Sequence, residues 1–261
     1  MLAVVARLAG APGVTLTCLG LAAAWPGEDR PTVVELDPLG GDVAARWRVR
    51  AEPGLSDVAA VIASEPQAGP EALAEGVQRL LVAGTQVPVV CSAAGGAAAR
   101  RALEFFSLPG SKVLSPPEGT VIADVGRLDL DSPCWPVTAS ADAVVIVVEG
   151  TLASIAHLRA RQGLLEDLAG LGPRIGIVVV EREYTADEVN EVFLAAGFEP
   201  RVIGAAGPLD VVGPEIGVGR RARRAWSVWR AVAVSVRDFA AEGPLALTAA
   251  PHGVETEEER P

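Results

Sequence analysis

The chain has 261 residues, a formal net charge of -11 and a hydrophobic fraction of 50%. That length suits one large α/β domain with a sizeable core, and the acidic balance disfavours general attraction to nucleic acid or anionic lipid. The longest apolar run, Ala143 to Val148, falls far short of the roughly 20 residues of a membrane-spanning helix. Cys18, Cys91 and Cys134 have no metal-ligand spacing and read as reduced thiols of a cytoplasmic protein, with Cys18 and Cys91 buried.

In chain order, Leu2–Ala6 reads as a first strand rather than a signal peptide, because no basic segment or small-residue cleavage site accompanies it. A glycine-bearing loop leads into a helix over Thr15–Ala24, and a strand follows at Thr32–Leu36. Helices are expected over Leu55–Ser64 and Pro70–Leu81, then a strand at Val87–Cys91, a helix at Ala97–Phe106 and a strand at Thr120–Val125. The second half gives strands at Ala143–Val148, Ile175–Val180 and Arg201–Ile203, with helices at Leu152–Leu168, Ala186–Ala196 and Ala222–Ala241. Short apolar runs without alternation fit strands buried on both faces. The alternation predicts an α/β three-layer sandwich, with a mainly parallel sheet of roughly seven strands and helices on both faces. The domain is expected over residues 1–242, with an acidic, disordered tail over 243–261 that ends Glu255-Thr256-Glu257-Glu258-Glu259-Arg260-Pro261.

The segment Arg7-Leu8-Ala9-Gly10-Ala11-Pro12-Gly13-Val14-Thr15-Leu16-Thr17 follows a strand and opens a helix. Backbone N–H groups and the helix N-terminus make such a turn a place where phosphate can be cradled. A working phosphate loop also needs a lysine directly before the hydroxyl residue. Val14 occupies that position, and the only lysine of the chain, Lys112, lies far downstream. By itself the Gly-Ala-Pro-Gly turn is more often a plain strand-to-helix connection than a phosphate site.

Other segments supply a resemblance. Val33-Val34-Glu35-Leu36-Asp37-Pro38-Leu39-Gly40-Gly41-Asp42 resembles the second signature of the ParA/MinD ATPases. Thr120-Val121-Ile122-Ala123-Asp124 resembles their Walker B strand, and Ser140–Glu149 resembles the strand that follows it. Val202-Ile203-Gly204 with Gly207-Pro208-Leu209-Asp210 resembles the late strand and proline turn near the base of ATP. The resemblance spans about residues 1–240 and extends to the relatives that position pilus and secretion machinery. It implies a P-loop NTPase fold and ATP with magnesium as ligands. It places Gly10, Ala11, Pro12, Gly13, Val14, Thr15, Leu16 and Pro208 around the nucleotide, Thr15 and Asp124 at the metal, and Asp37 beside the attacking water.

The departures fall on that chemistry. Ala9 and Val14 replace the two lysines of the loop, Ala11 a glycine and Leu16 the second threonine. Glu35 stands where the signature has its first Asp, and Glu181 where an Asn often reads adenine. Losing a charged hydrogen-bonding partner costs roughly 1.5–3 kcal/mol, or about ten- to a hundredfold in binding. The expectation is therefore a positioning or regulatory protein with weak or absent ATP hydrolysis, acting by homodimerisation or by docking on a protein partner, in the cytoplasm or at a membrane-bound assembly. The alternatives are an active ATPase with an atypical loop and a dinucleotide-binding oxidoreductase in which Glu35 or Asp37 meets a ribose. The bland readings are a turn carboxylate for Asp37, turn residues for Asp42 and Asp210, and core packing for Trp226 and Trp229. Arg220, Arg221, Arg223 and Arg224 read as a solvated face or a patch for an acidic partner or DNA. His157 and His252 have no nucleophile partner.

Overall fold

A computed structural model of the chain describes residues 1–10, 13–28, 30–197, 200–215 and 219–242. The expected disordered tail from Gly243 onward lies outside the described residues, as does His252.

Eight strands form one sheet in the order β3-β4-β2-β5-β1-β6-β7-β8. These are β1 (Leu2–Arg7), β2 (Thr32–Glu35), β3 (Val77–Val82), β4 (Thr85–Val90), β5 (Val121–Arg127), β6 (Ala143–Glu149), β7 (Arg174–Val180) and β8 (Arg201–Ala205). All pairings are parallel except β3 with β4. The helices are α1 (Val14–Ala24), α2 (Val43–Trp47), α3 (Leu55–Ser64), α4 (Gly96–Phe106), α5 (Trp135–Ala139), α6 (Leu152–Arg159), α7 (Gln162–Gly170), α8 (Ala186–Ala195) and α9 (Arg220–Ala241).

Successive strand residues point to opposite faces, and the core divides accordingly. Leu2, Val4 and Ala6 join a cluster with α3, α4 and α6–α8, whereas Val5 faces a second cluster built on α1 and α9. α1 and α9 approach closely at Gly20, where an added Cβ would stand 2.8 Å from the Trp229 ring. Trp229 is fully buried and Trp226 only half-buried, so the two share one helix flank but not one environment. All three cysteines are buried.

Two expectations are corrected. Pro70–Leu81 is not one helix: a 3-10 turn over Pro70–Glu75 gives way to β3. Ala83 and Gly84, both at positive φ (46° and 88°), close a two-residue hairpin onto β4, as the twist of adjoining strands requires. Pairing with β4 thereby wins over a helix-like spacing of Ala72, Leu73, Val77 and Leu80. The expected helix Leu152–Leu168 is broken into α6 and α7 at Arg161, whose backbone leaves the helical region (φ -112°, ψ 18°) while its guanidinium donates to the His157 carbonyl at 3.1 Å.

Candidate functional site: the carboxyl end of the central strands

β1 lies between β5 and β6, and the chain leaves its carboxyl end toward α1 and then β2. This is a switch point of an open parallel sheet, where connections depart in opposite directions and leave a crevice. The glycine-bearing loop therefore sits at the sheet's centre, not at an edge.

Gly10 (φ 69°) and Gly13 (φ 79°) both adopt the left-handed conformation, and Gly13 caps α1. A Cβ on Gly13 would stand 2.5 Å from Leu209 Cδ1, so glycine is required there twice over. Thr17 Oγ1 donates to the Gly13 carbonyl at 3.0 Å. The Arg7 guanidinium donates to the Gly10 carbonyl, bracing the loop from the end of β1. No acidic residue occupies the first turn of α1. Ala11 and Pro12 lie outside the described residues.

Val14 is 5% exposed and belongs to the apolar cluster under α1 and α9. Its side chain is part of the core, and Leu16 packs half-buried against the same cluster. Lys112 offers no replacement. It lies in the connection from α4 to β5, outside the loop that opens α1.

Thr15 lies close enough to Asp124 for its hydroxyl to favour the charged carboxylate. Asp124, midway along β5 (which runs on to Arg127), is 1% exposed and accepts from the Gly126 N–H at 3.0 Å. Burial pushes its carboxyl up to about 7; the Thr15 hydroxyl and the Gly126 N–H oppose the rise, and the nearby Glu35 and Asp37 add to it. A hydroxyl and a carboxylate this close form a hard-oxygen pair of the kind that holds magnesium with water and phosphate. No group of three or more His, Cys, Asp or Glu side chains able to hold a metal exists among the described residues.

Asp37 is close by. Its Oδ1 accepts from the Leu39 N–H at 2.8 Å, and its Oδ2 would lie 1.9 Å from a Cβ on Gly126. Burial raises its pKa, countered by the Leu39 N–H and the positive charge of Arg7. It also opens onto a cleft of about 470 Å³ lined by Arg100, Arg127 and Asp129. The late turn arrives on the other side: the Pro208 carbonyl accepts from Trp229 Nε1 at 3.3 Å while Leu209 covers Gly13. The late turn thus lies against the loop after β1, with Leu209 on Gly13, whereas Val14 is turned into the core.

Two carboxylates have other duties. Glu35, 1% exposed, accepts from the N–H groups of Asp42 (2.9 Å), Val43 (3.0 Å) and Ser92 (3.0 Å). It ties the start of α2 to the loop after β4, and at 1% exposure its carboxylate is not presented to a ribose. Burial raises its pKa against the pull of those donors. Glu181 accepts from the Ala186 N–H at 3.0 Å, at the first turn of α8. The Ser92 donor to Glu35 comes from 57 positions away, so its structural duty is not readable from the sequence around Glu35.

No family model matches this sequence, and no curated protein matches it. Solved structures do. MinD, the cell division ATPase of Pyrococcus furiosus, superposes with a TM-score of 0.62 at 14% identity, over 91% of this chain and 98% of its own. A ParA family ATPase from Chlorobium tepidum gives 0.58 at 16% identity, over 91% and 97%. The septum site-determining MinD of Pyrococcus horikoshii, complexed with Mg-ADP, gives 0.59 at 13%, over 92% and 98%. The fold is therefore that of the P-loop NTPases. Within that class it is the ParA/MinD arrangement. Among the described residues no helix is long and apolar enough to cross a membrane.

Proposed function

We propose that this chain is a ParA/MinD-like positioning or regulatory protein with a degenerate nucleotide site and weak or absent ATP hydrolysis, acting in the cytoplasm through dimerisation or docking on a protein partner. The observation that carries the reading is Val14. At the position where a phosphate loop supplies its lysine, the side chain is 5% exposed and packed in the core. A triphosphate there meets backbone N–H groups and a helix N-terminus, but no ammonium. Arg7, the nearest cation of the loop, is already engaged with the Gly10 carbonyl. Phosphoryl transfer depends almost entirely on positioning and on electrostatic stabilisation, so a missing charge weakens turnover more than it weakens the fold.

A second reading, an ATPase with an atypical loop, is supported by the proximity of Thr15 to Asp124, the two residues that a magnesium ion would use. In that reading Thr15 and Asp124 hold the metal and Asp37 orients water. Phosphate release by the purified chain with magnesium and ATP separates the two. The first reading expects a rate indistinguishable from that of Asp37→Ala. A rate that Asp37→Ala abolishes would establish the second.

A further inference from the structure

Away from the crevice, two hollows of about 340 and 280 Å³ lie side by side between the end of α1, the β3–β4 turn and one flank of α9. They share Ala23, Ala24, Thr85 and Arg230, so they form one groove. Its floor is alanine with Trp25 and Trp226, its walls carry Arg223, Arg230 and Arg30, and among the described residues no acidic side chain lines it. Arg223 and Arg230 stand two helical turns apart, about 10 Å, on the same flank. Both are exposed, and the Arg30 guanidinium is held in place on the Trp25 carbonyl. In a chain of net charge -11 this is a concentrated anion-seeking surface with an apolar base.

We propose that the groove is an acidic-peptide site whose occupant is the chain's own segment Glu255-Thr256-Glu257-Glu258-Glu259, which lies beyond the described residues. Length and charge both fit. α9 ends at Ala241, and at 1.5 Å per residue Arg230 lies roughly 18 Å and Arg223 roughly 28 Å back along the axis from Glu242. The intervening residues 243–254, about 12 of them with Gly243, Pro244, Pro251 and Gly253, span on the order of 20 Å as a flexible linker and about 40 Å when extended. A tether whose natural length matches the span gives the highest effective concentration. Four glutamates in five positions meet three arginines, and guanidinium forks suit carboxylate geometry. The docked segment covers the groove's arginines and keeps other polyanions off them. This inference is independent of whether the crevice binds nucleotide.

The test uses the full chain. The native cysteines are all buried, so a Thr256→Cys variant takes a nitroxide label at one place. The label is expected to broaden the Trp226 indole signal and to spare that of Trp135, which lies in α5 on the other side of the sheet. At about 50 mM salt the Trp226 peak should lose roughly half its height or more, and at about 1 M salt, where screening shortens to about 3 Å, it should recover. Arg223→Gln with Arg230→Gln should also restore it at low salt, and both changes are at exposed positions that leave the core intact. No broadening at low salt, or broadening indifferent to salt and to the arginine changes, would overturn the proposal. Broadening seen only when labelled and unlabelled chains are mixed would overturn it in favour of a second copy. A Trp226 signal that shifts with a DNA duplex but never with the label would overturn it in favour of nucleic acid.

Discussion

Replacing Asp124 by Asn removes a buried titrating carboxyl beside Thr15 and keeps an acceptor for the Gly126 N–H. In the folded chain this carboxyl titrates at about 7, raised first by burial; in an unfolded chain it titrates near 3.9. Between those values the folded state holds a proton that the unfolded state has released, so stability falls as pH rises through the window. The contribution is complete below the unfolded value and gone above the folded one. The chain is near its isoelectric point of about 4.7 at the acid end, so the useful range is pH 5 to 8. Within it, about two units at roughly 1.4 kcal/mol each give a loss of about 3 kcal/mol for the wild type. The Asn variant lacks that dependence. The check is urea unfolding followed by tryptophan fluorescence at half-unit pH steps, with the two stabilities subtracted to remove every other titrating group. The gap between the proteins should close or reverse by about 3 kcal/mol as pH rises. Curves that stay parallel to within about 1 kcal/mol would refute a buried, desolvated Asp124.

Two further substitutions test the site's construction. Val14→Lys should not restore a working loop: the new ammonium has to leave an apolar cluster, so about 2 kcal/mol or more of stability is lost and nucleotide binding recovers only in part; thermal unfolding with and without Mg-ATP reads both. Glu35→Ala orphans the N–H groups of Asp42, Val43 and Ser92, and at about 1–3 kcal/mol for each unpaired buried group it should destabilise the chain by at least about 3 kcal/mol in denaturant unfolding, with Glu35→Gln recovering part of that.

The layered sheet was legible because strands buried on both faces carry a strong signal. Leu2–Ala6, Ala143–Val148 and Ile175–Val180 appear in the structure nearly residue for residue. β3 was not legible as a strand, since Val77-Gln78-Arg79-Leu80-Leu81-Val82 continues a helix-like spacing begun at Ala72. The signal that distinguishes it, a two-residue turn at Ala83-Gly84, is short and lacks the Asn or Asp that usually marks one. In the crevice, the meeting of Thr15 with Asp124 followed from family-like segment order, whereas the core burial of Val14 and the three donors on Glu35 did not. Those depend on which side chains the fold brings against them, and the donors come from as far as 57 positions away. A glutamate one methylene longer than aspartate is able to reach across that gap, so what reads in sequence as a weakened signature is in the structure a brace for two loops.

The central claim is that a loop with Val14 in its core and no ammonium does not hold a triphosphate tightly. Isothermal titration of the full chain with ATP and magnesium addresses it directly. The expected result is no resolvable heat, or binding near the millimolar level, about 4 kcal/mol. Binding at the micromolar level, about 8 kcal/mol, would contradict it and would show that backbone donors, Thr15, Asp124 and Arg7 suffice without the lysine.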